Sequence, residues 1–487
     1  MTERSWIRFC QVLIVIGIAA RFYGFTDPWK TNDHYNFGGV WTTTYAECLK
    51  STPLEVSKGI PHSRCWTGEP DYYRAHPPTI LFAMWGWTSV FGSSEAAYRG
   101  FTLTFSVLNI ALIFFIGRLA RPSPLFPWLA AAFQSIFLGN IYFGTHLDFI
   151  SEFTVTFVLL SAWLALRGQI TSAGFASLAA GLTAWPGYIS FGPLWLFALN
   201  IRKGRKRIFA MAVFGFAMAL GMMMWLHQKT DIIDFLRLKL LNPGYIKQKE
   251  KGLLEPLRFF QNVISSNARL LSPLFAALAT YELFRGDGKT FFSGWRSRWR
   301  ELTPFHHAVL LTGGTGLIYA LIGHEYFMVH VFLYLLMTPG LALLSARFIE
   351  RNIQSSIDGH GFKADRAWIS IIVLLFASLY PYGIYRSSLA HDVINSVALI
   401  SSSLGFLWTV YRTQYYRRSL AIIVSLAAAA NVSQTINYRN EPDKERSFCE
   451  KARNEYIRTN QPVITQEKRS DAKEFIYCRG IPIQYEN

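Results

Sequence analysis

Charged and imidazole groups set beside long apolar runs are costly to place in a membrane, so they mark candidate binding or reacting positions. Asp33 and His34 stand in Lys30-Thr31-Asn32-Asp33-His34-Tyr35-Asn36. A carboxylate held there could take a proton from an acceptor hydroxyl; equally, Asp33 could cap a helix over residues 35–49. The segment Asp71-Tyr72-Tyr73-Arg74-Ala75-His76-Pro77-Pro78 gathers an acid, two phenols, a guanidinium and an imidazole ahead of two stiffening prolines. Arg74, through its two-pronged fork, and His76 could pair with a phosphate. Pro78 also suits the first turn of an interfacial helix flanked by a solvated arginine.

Asp148 sits in Gly144-Thr145-His146-Leu147-Asp148, with no basic residue close in sequence to neutralise it. Such a position suggests an inward-facing carboxylate. Glu152, one turn on and on the same helical face, would lie deeper, as a functional acid or as a buried structural hydrogen-bonding group. His324-Glu325-Tyr326-Phe327 forms a tight turn between two apolar stretches, with His330 about one turn further on. His324 and Tyr326 could meet a lipid-borne phosphate, or belong to an interfacial aromatic belt.

The elements that must position these residues are membrane helices. Of the 487 residues 51% are apolar, 16% aromatic and only 16% charged, unlike a soluble average. Stretches such as 100–118, 208–226, 326–347 and 368–386 are almost free of charge over the roughly 20 residues needed to cross hydrocarbon. Continuous, non-alternating hydrophobicity of that length points to helices and excludes an outer-membrane barrel. Spans are expected near 7–24, 97–117, 125–143, 149–166, 171–186, 189–201, 208–226, 269–284, 306–322, 326–346, 367–386, 391–411 and 418–436, thirteen in all. The first is read as a retained helix because Arg21, Phe22 and Tyr23 follow it in place of a small-residue cleavage site.

Charge sets the expected orientation. With a cytoplasmic N-terminus, the inner loops carry the basic clusters at 202–207, 285–300, 347–366 and 412–418, while the short outer loops at 144–148, 186–189 and 323–326 lack Lys and Arg. The net charge of +17 is therefore a topology signal and not a nucleic-acid footprint. Of five cysteines, Cys48 and Cys65 share the first outer loop, and Cys449 and Cys478 share a tail also expected outside. Their positions fit two local disulfides on an oxidising face, and none of the spacings makes a zinc site. The expected organisation is a transmembrane module over 1–437 and a small extramembrane domain over 438–487. Within the module lie a first outer loop at 25–96 and a basic amphipathic outer loop at 227–268. In the first loop the apolar run 79–90 is too short to span and reads as an interfacial or re-entrant helix. Basic residues on the second face anionic lipid headgroups. No internal repeat, low-complexity tract or P-loop is visible.

In this order the motifs resemble those of the GT-C glycosyltransferases, in the branch of protein O-mannosyltransferases and lipid A aminoarabinose transferases. They are a first span ending in Arg21, a long outer loop opening with Asn32-Asp33-His34, and a His76-Pro77-Pro78 ahead of a short interfacial helix. Asp148 in the second outer loop, the turn His324–Tyr326 with Pro339 downstream, and a C-terminal outer domain complete the pattern. The resemblance covers most of residues 1–345. It implies an all-α polytopic fold and a sugar donor carried on a polyprenyl or dolichyl phosphate. It also implies Asp33 as base or acceptor orienter and Asp148 as a second acid near the acceptor. His34, Arg74, His76, His324 and Tyr326 would bind the donor phosphate or shape its pocket. Many relatives have two adjacent acids where this chain has Asp33-His34, which leaves the identity of the base open.

The expected activity is transfer of a sugar from a polyprenyl-phosphate donor to an acceptor hydroxyl or phosphate of a lipid, glycan or protein on the non-cytoplasmic face. Asp33, His34 and Asp148 could also meet a divalent cation, though their spacing does not demand one. A transporter or lipid flippase is the alternative, since many spans and a helix broken at Pro186 would serve it too; a non-catalytic assembly subunit is a third reading. A bacterial inner membrane is favoured over the endoplasmic reticulum because the sequon Asn431-Val432-Ser433 falls inside an apolar helix.

Overall fold

A backbone in lipid must satisfy its own hydrogen bonds, and the chain does so with helices whose ends carry the appropriate charges. In α1 (Glu3–Phe22) the Thr2 hydroxyl accepts the Ser5 N–H, Glu3 lies in the first turn and Arg21 in the last, as the helix dipole favours. Next come α2 (His34–Ser51), α3 (Leu54–Ser57), a two-residue antiparallel ladder of β1 (His62–Ser63) with β2 (Asp71–Tyr72), and α4 (Thr79–Phe91). In α5 (Glu95–Ala120) Ser94 caps the Ala97 N–H, with Glu95 at the start and Arg118 at the end. The computed structural model describes residues 2–26, 34–63, 71–72, 77–146, 152–226, 271–285, 302–322, 331–357, 369–375, 400–408 and 416–440. It also describes residues 377, 397, 451, 454–455, 458–459, 463–465 and 483–485.

The second half of the bundle comprises α6 (Phe126–Ile136), α7 (Leu138–Phe143), α8 (Glu152–Leu166), α9 (Ile170–Thr183), α10 (Phe191–Asn200), α11 (Arg205–Leu226), α12 (Pro273–Arg285), α13 (Pro304–Ile322), α14 (Thr338–Ile357) and α15 (Tyr416–Asn440). Short 3-10 helices precede α10 (Trp185–Ser190) and α14 (Val331–Leu336), and β3 (Val463–Thr465) pairs in parallel with β4 (Ile483–Tyr485). Among the described residues α1, α5, α11 and α13 are long and apolar enough to cross a bilayer. The chain is an integral membrane protein. Helix α9, rich in Ala, Gly, Ser and Thr, packs closely on α8, and α8 also packs on α5. At the crossing of α13 and α14, Gly313 and Gly340 meet backbone to backbone; a Cβ on Gly340 would lie 2.8 Å from the Gly313 Cα.

Two departures from the expected spans have physical causes. The apolar run 125–143 is not one helix: Phe137 adopts an extended conformation (φ −60°, ψ 131°) and divides it into α6 and α7. The run 326–346 does not hold its helix either. Helix α14 starts at Thr338 and continues to Ile357, so Arg347, Glu350 and Arg351, expected beyond the helix end, are helical. They remain there because they are paired. The Arg351 guanidinium grips Glu282 of α12 through two bonds of 3.1 and 2.6 Å, and Arg121 and Arg347 both approach Glu350, at 2.9 and 3.3 Å. Finally, the two short ladders qualify the all-α expectation. The described apolar run of the first loop is a 13-residue helix, α4, and the break at Trp185-Pro186-Gly187 is a 3-10 turn between α9 and α10.

Candidate functional site

The last carbonyls of a helix have no partner within it, and burial makes an orphaned carbonyl costly. Where α6 stops at Ile136 three such carbonyls are exposed to the bundle interior, and each receives a side chain from a different element. Asn140 of α7 donates to Gln134 O (2.9 Å), Arg21 of α1 to Ser135 O (2.8 Å), and Asn431 of α15 to Ile136 O (3.0 Å). All three donors are buried. A break at membrane depth is tolerated where protein encloses it, and it is commonly found beside sites that bind charged or polar ligands.

From this break a continuous polar chain crosses the bundle. The Arg21 guanidinium also donates from Nη1 to Gly17 O (2.5 Å) and from Nε to the Ser106 hydroxyl of α5 (3.0 Å). Ser106 in turn donates to Glu152 Oε1 (3.4 Å), and Asn109 Nδ2 donates to Glu152 Oε2 (2.5 Å) and to the Glu152 carbonyl (3.0 Å). Thr156 closes this end by donating to Asn109 Oδ1 (2.7 Å). In the other direction Thr338, the first residue of α14, donates to Asn140 Oδ1 (3.0 Å). Gly144 makes room for the arginine: a Cβ there would lie 2.7 Å from Arg21 Nε and 2.8 Å from Ser106 Oγ. Arg21 and Glu152 are buried and electrostatically coupled, so neither charge is left alone in the interior.

Around the chain lie further polar groups at the same end of the bundle. The Arg99 guanidinium donates to Thr145 O (3.4 Å), and His146 stacks on Tyr142 with ring centroids 4.1 Å apart while its Nδ1 meets the Tyr142 carbonyl. Glu47 of α2 accepts from Ser93 (2.6 Å), Lys50 and Tyr98 (both 3.0 Å), fastening the first loop to the start of α5. His62 of β1 bonds Thr52 at 2.7 Å and lies against the ring of Tyr72. Cys48 is buried and disulfide-bonded. Its expected partner Cys65, like Cys449 and Cys478, lies outside the described residues.

The residues expected from the sequence to carry chemistry fall largely outside this description. Asp33, Arg74, His76, Asp148, His324 and Tyr326 are not among the described residues, and His34 is described only as the first residue of α2. What the structure does bring together is their flanks: Thr145 and His146 before Asp148, and Glu152 after it. Glu152 was legible as a deeper acid of that segment. Ser106, Asn109, Asn140 and Thr338 carry no signal in the sequence beyond a polar residue inside an apolar run, and Asn431 stands out there only as part of a sequon. Among the described residues no three His, Cys, Asp or Glu side chains gather closely enough to hold a metal ion.

No protein-family model matches the chain, and no curated protein matches its sequence. The fold, however, is shared with solved structures. The crystal structure of ArnT from Cupriavidus metallidurans in the apo state superposes with a TM-score of 0.54 at 15% identity, covering 97% of this chain and 85% of that one. The same protein bound to undecaprenyl phosphate gives 0.55 at 14% identity with the same coverage. The Archaeoglobus fulgidus oligosaccharyltransferase in the apo form gives 0.48 at 13% identity, covering 98% of this chain and 60% of that one. ArnT, a lipid A aminoarabinose transferase, is a GT-C glycosyltransferase, and the architecture of the present chain is likewise that of the GT-C fold.

Proposed function

We propose that the protein transfers a glycosyl unit from a polyprenyl-phosphate donor to an acceptor hydroxyl or phosphate on the non-cytoplasmic face of a bacterial inner membrane. The observation that carries this reading is the GT-C architecture over 97% of the chain, shared with an ArnT that binds undecaprenyl phosphate. It is supported by buried charge gathered at a helix break beside the segment that holds Asp148. In this reading thirteen spans, a cytoplasmic N-terminus and an outer domain over 438–487 place 25–96 and 227–268 on the same side as the acceptor. Disulfides Cys48–Cys65 and Cys449–Cys478 staple the first loop and the tail.

The donor is already activated, so the enzyme needs to deprotonate an acceptor, align it and receive the departing phosphate. Asp33 takes the acceptor proton as base or, alternatively, orients the acceptor while the second acid near it, Asp148, takes the proton. The acceptor oxygen then forms a bond to the anomeric carbon as the bond to the phosphate oxygen breaks, and the electron pair leaves on the lipid phosphate. His34, Arg74, His76, His324 and Tyr326 stabilise that phosphate; a single well-placed donor of this kind is worth about 10²–10³ in rate. A divalent cation held by Asp33, His34 and Asp148 would serve the same end.

The test is to purify the full-length chain in detergent, supply a panel of polyprenyl-phosphate sugars and measure donor-dependent release of lipid phosphate. Release abolished by Asp33→Asn supports the reading. Substrate flux across vesicles without any release of lipid phosphate would favour a transporter or flippase.

A further inference from the structure

The same polar chain bears on how the site is held. Arg21 is fully buried, with Nη1 committed to Ser135 O and Gly17 O and Nε to Ser106. A guanidinium so engaged does not have its fork free for a bidentate grip on a ligand phosphate. Its bonds instead hold together three things that would otherwise separate: the end of α6, the α1 backbone and, through Ser106, the carboxylate of Glu152 at the start of α8.

The geometry on α5 shows what this arrangement restrains. Arg99, Ser106 and Asn109 follow one another down one side of that helix. Arg99 fastens the Thr145 carbonyl at one end of the 146–151 segment, Asn109 fastens Glu152 at the other, and Ser106 connects Arg21 to the second anchor. Gly144, immediately before, abuts the Arg21 Nε. On the far side of the break, Asn140 ties the Gln134 carbonyl to Thr338 at the start of α14.

We propose that Arg21 and Glu152 are positioning residues: together they clamp the α6–α7 break and fix where the chain on both sides of Asp148 is held, without contacting donor or acceptor. This inference rests on the transferase reading above, in which Asp148 acts at the site. It differs from a phosphate-binding role for Arg21 in a measurable way. A ligand of the phosphate would change donor affinity, whereas a misplaced scaffold slows the chemical step, and a displacement of 1 Å costs up to about a hundredfold.

The full-length protein in lipid nanodiscs would be assayed for release of lipid phosphate from a donor the wild type accepts, and separately for binding of undecaprenyl phosphate. The variants are Arg21→Lys, Glu152→Gln and Thr338→Val. The expected result for each is a kcat lowered about ten- to hundredfold, with donor KM and undecaprenyl-phosphate affinity within about twofold of wild type and an unmoved pH–rate profile. A tenfold or greater loss of undecaprenyl-phosphate affinity in Arg21→Lys would overturn the proposal and make Arg21 a phosphate ligand. Wild-type kcat in Glu152→Gln and Thr338→Val would overturn it too, and those milder variants decide the matter if Arg21→Lys does not fold. A wild type that neither binds undecaprenyl phosphate nor releases it from any donor ends the transferase reading itself; an active wild type with the wrong pattern among the variants ends only this inference.

Discussion

Replacing Gly144 by alanine tests the polar chain without touching any of its hydrogen-bonding groups. Gly144 has φ −60° and ψ −13°, a right-handed conformation that alanine adopts without strain. On backbone grounds alone, then, the substitution should stabilise by about 0.4–1 kcal/mol through the unfolded chain. The neighbours reverse the sign. The new methyl would lie 2.6 Å from Asn140 O, 2.7 Å from Arg21 Nε and 2.8 Å from Ser106 Oγ, where ordinary contact begins at 3.4 Å. It bears on both ends of the Arg21–Ser106 bond, whose 3.0 Å length leaves little slack before the bond is lost. Overpacking of this kind costs about 1–3 kcal/mol, and a hydrogen bond to a charged group about 1.5–3 kcal/mol. The net expectation is a destabilisation of about 1–3 kcal/mol. Cys10, a buried free thiol of α1, supplies the readout: a thiol-reactive dye follows its exposure as detergent-solubilised protein is heated. Gly221→Ala is the control, because nothing lies within 4 Å of a Cβ there. It should melt at or slightly above wild type, by the gain of about 0.5–1 kcal/mol expected for alanine in a helix. If Gly144→Ala melts as high as Gly221→Ala, the packing of Arg21 against the α7–α8 turn is wrong.

Other consequences can be checked independently. Asn431→Leu removes the donor to Ile136 O and to Leu271 O, and should cost about 1 kcal/mol in the same thermal assay; an unchanged midpoint would mean the α6 break needs no cap from α15. Glu282→Gln leaves the paired Arg351 with a weaker acceptor and should lower the midpoint, while Glu282→Gln with Arg351→Gln should recover part of the loss, as a double-mutant cycle would show. For orientation, cysteines placed at exposed Glu55 and Arg205 should be labelled by an impermeant reagent from opposite sides of sealed vesicles; labelling of both from one side would refute the proposed topology.

Hydropathy made the membrane class and the long helices legible, because about 20 uncharged residues in a row leave little alternative. It also located α4 and the turn at Pro186, where a short run or a proline speaks locally. What it could not register was the interruption at Phe137. Ile136-Phe137-Leu138 contains no glycine, proline or charge, and the only local weakening of a helix reading is Gly139-Asn140 just beyond it, which points past Phe137 and not to it. The break exists because Arg21, Asn140 and Asn431 arrive from α1, α7 and α15 to take the three carbonyls it frees, and no local window contains all of them. The extension of α14 past Arg347 escaped for the same reason, since its charged residues are tolerated only by partners at Glu282 and Arg121.

The same contrast explains which site features were found. Glu152 stood out because an acid among apolar neighbours is rare enough to notice unaided. Asn109, Ser106 and Thr338 did not, since a neutral polar residue in a membrane helix costs little and is common at helix contacts. Yet these neutral residues connect the buried charges to one another and to the helix break. A motif read from the sequence therefore reports the groups able to do chemistry near the membrane face. The groups that hold them in register are ordinary amides and hydroxyls, and only their convergence in space distinguishes them from the many that merely pair with their own helix.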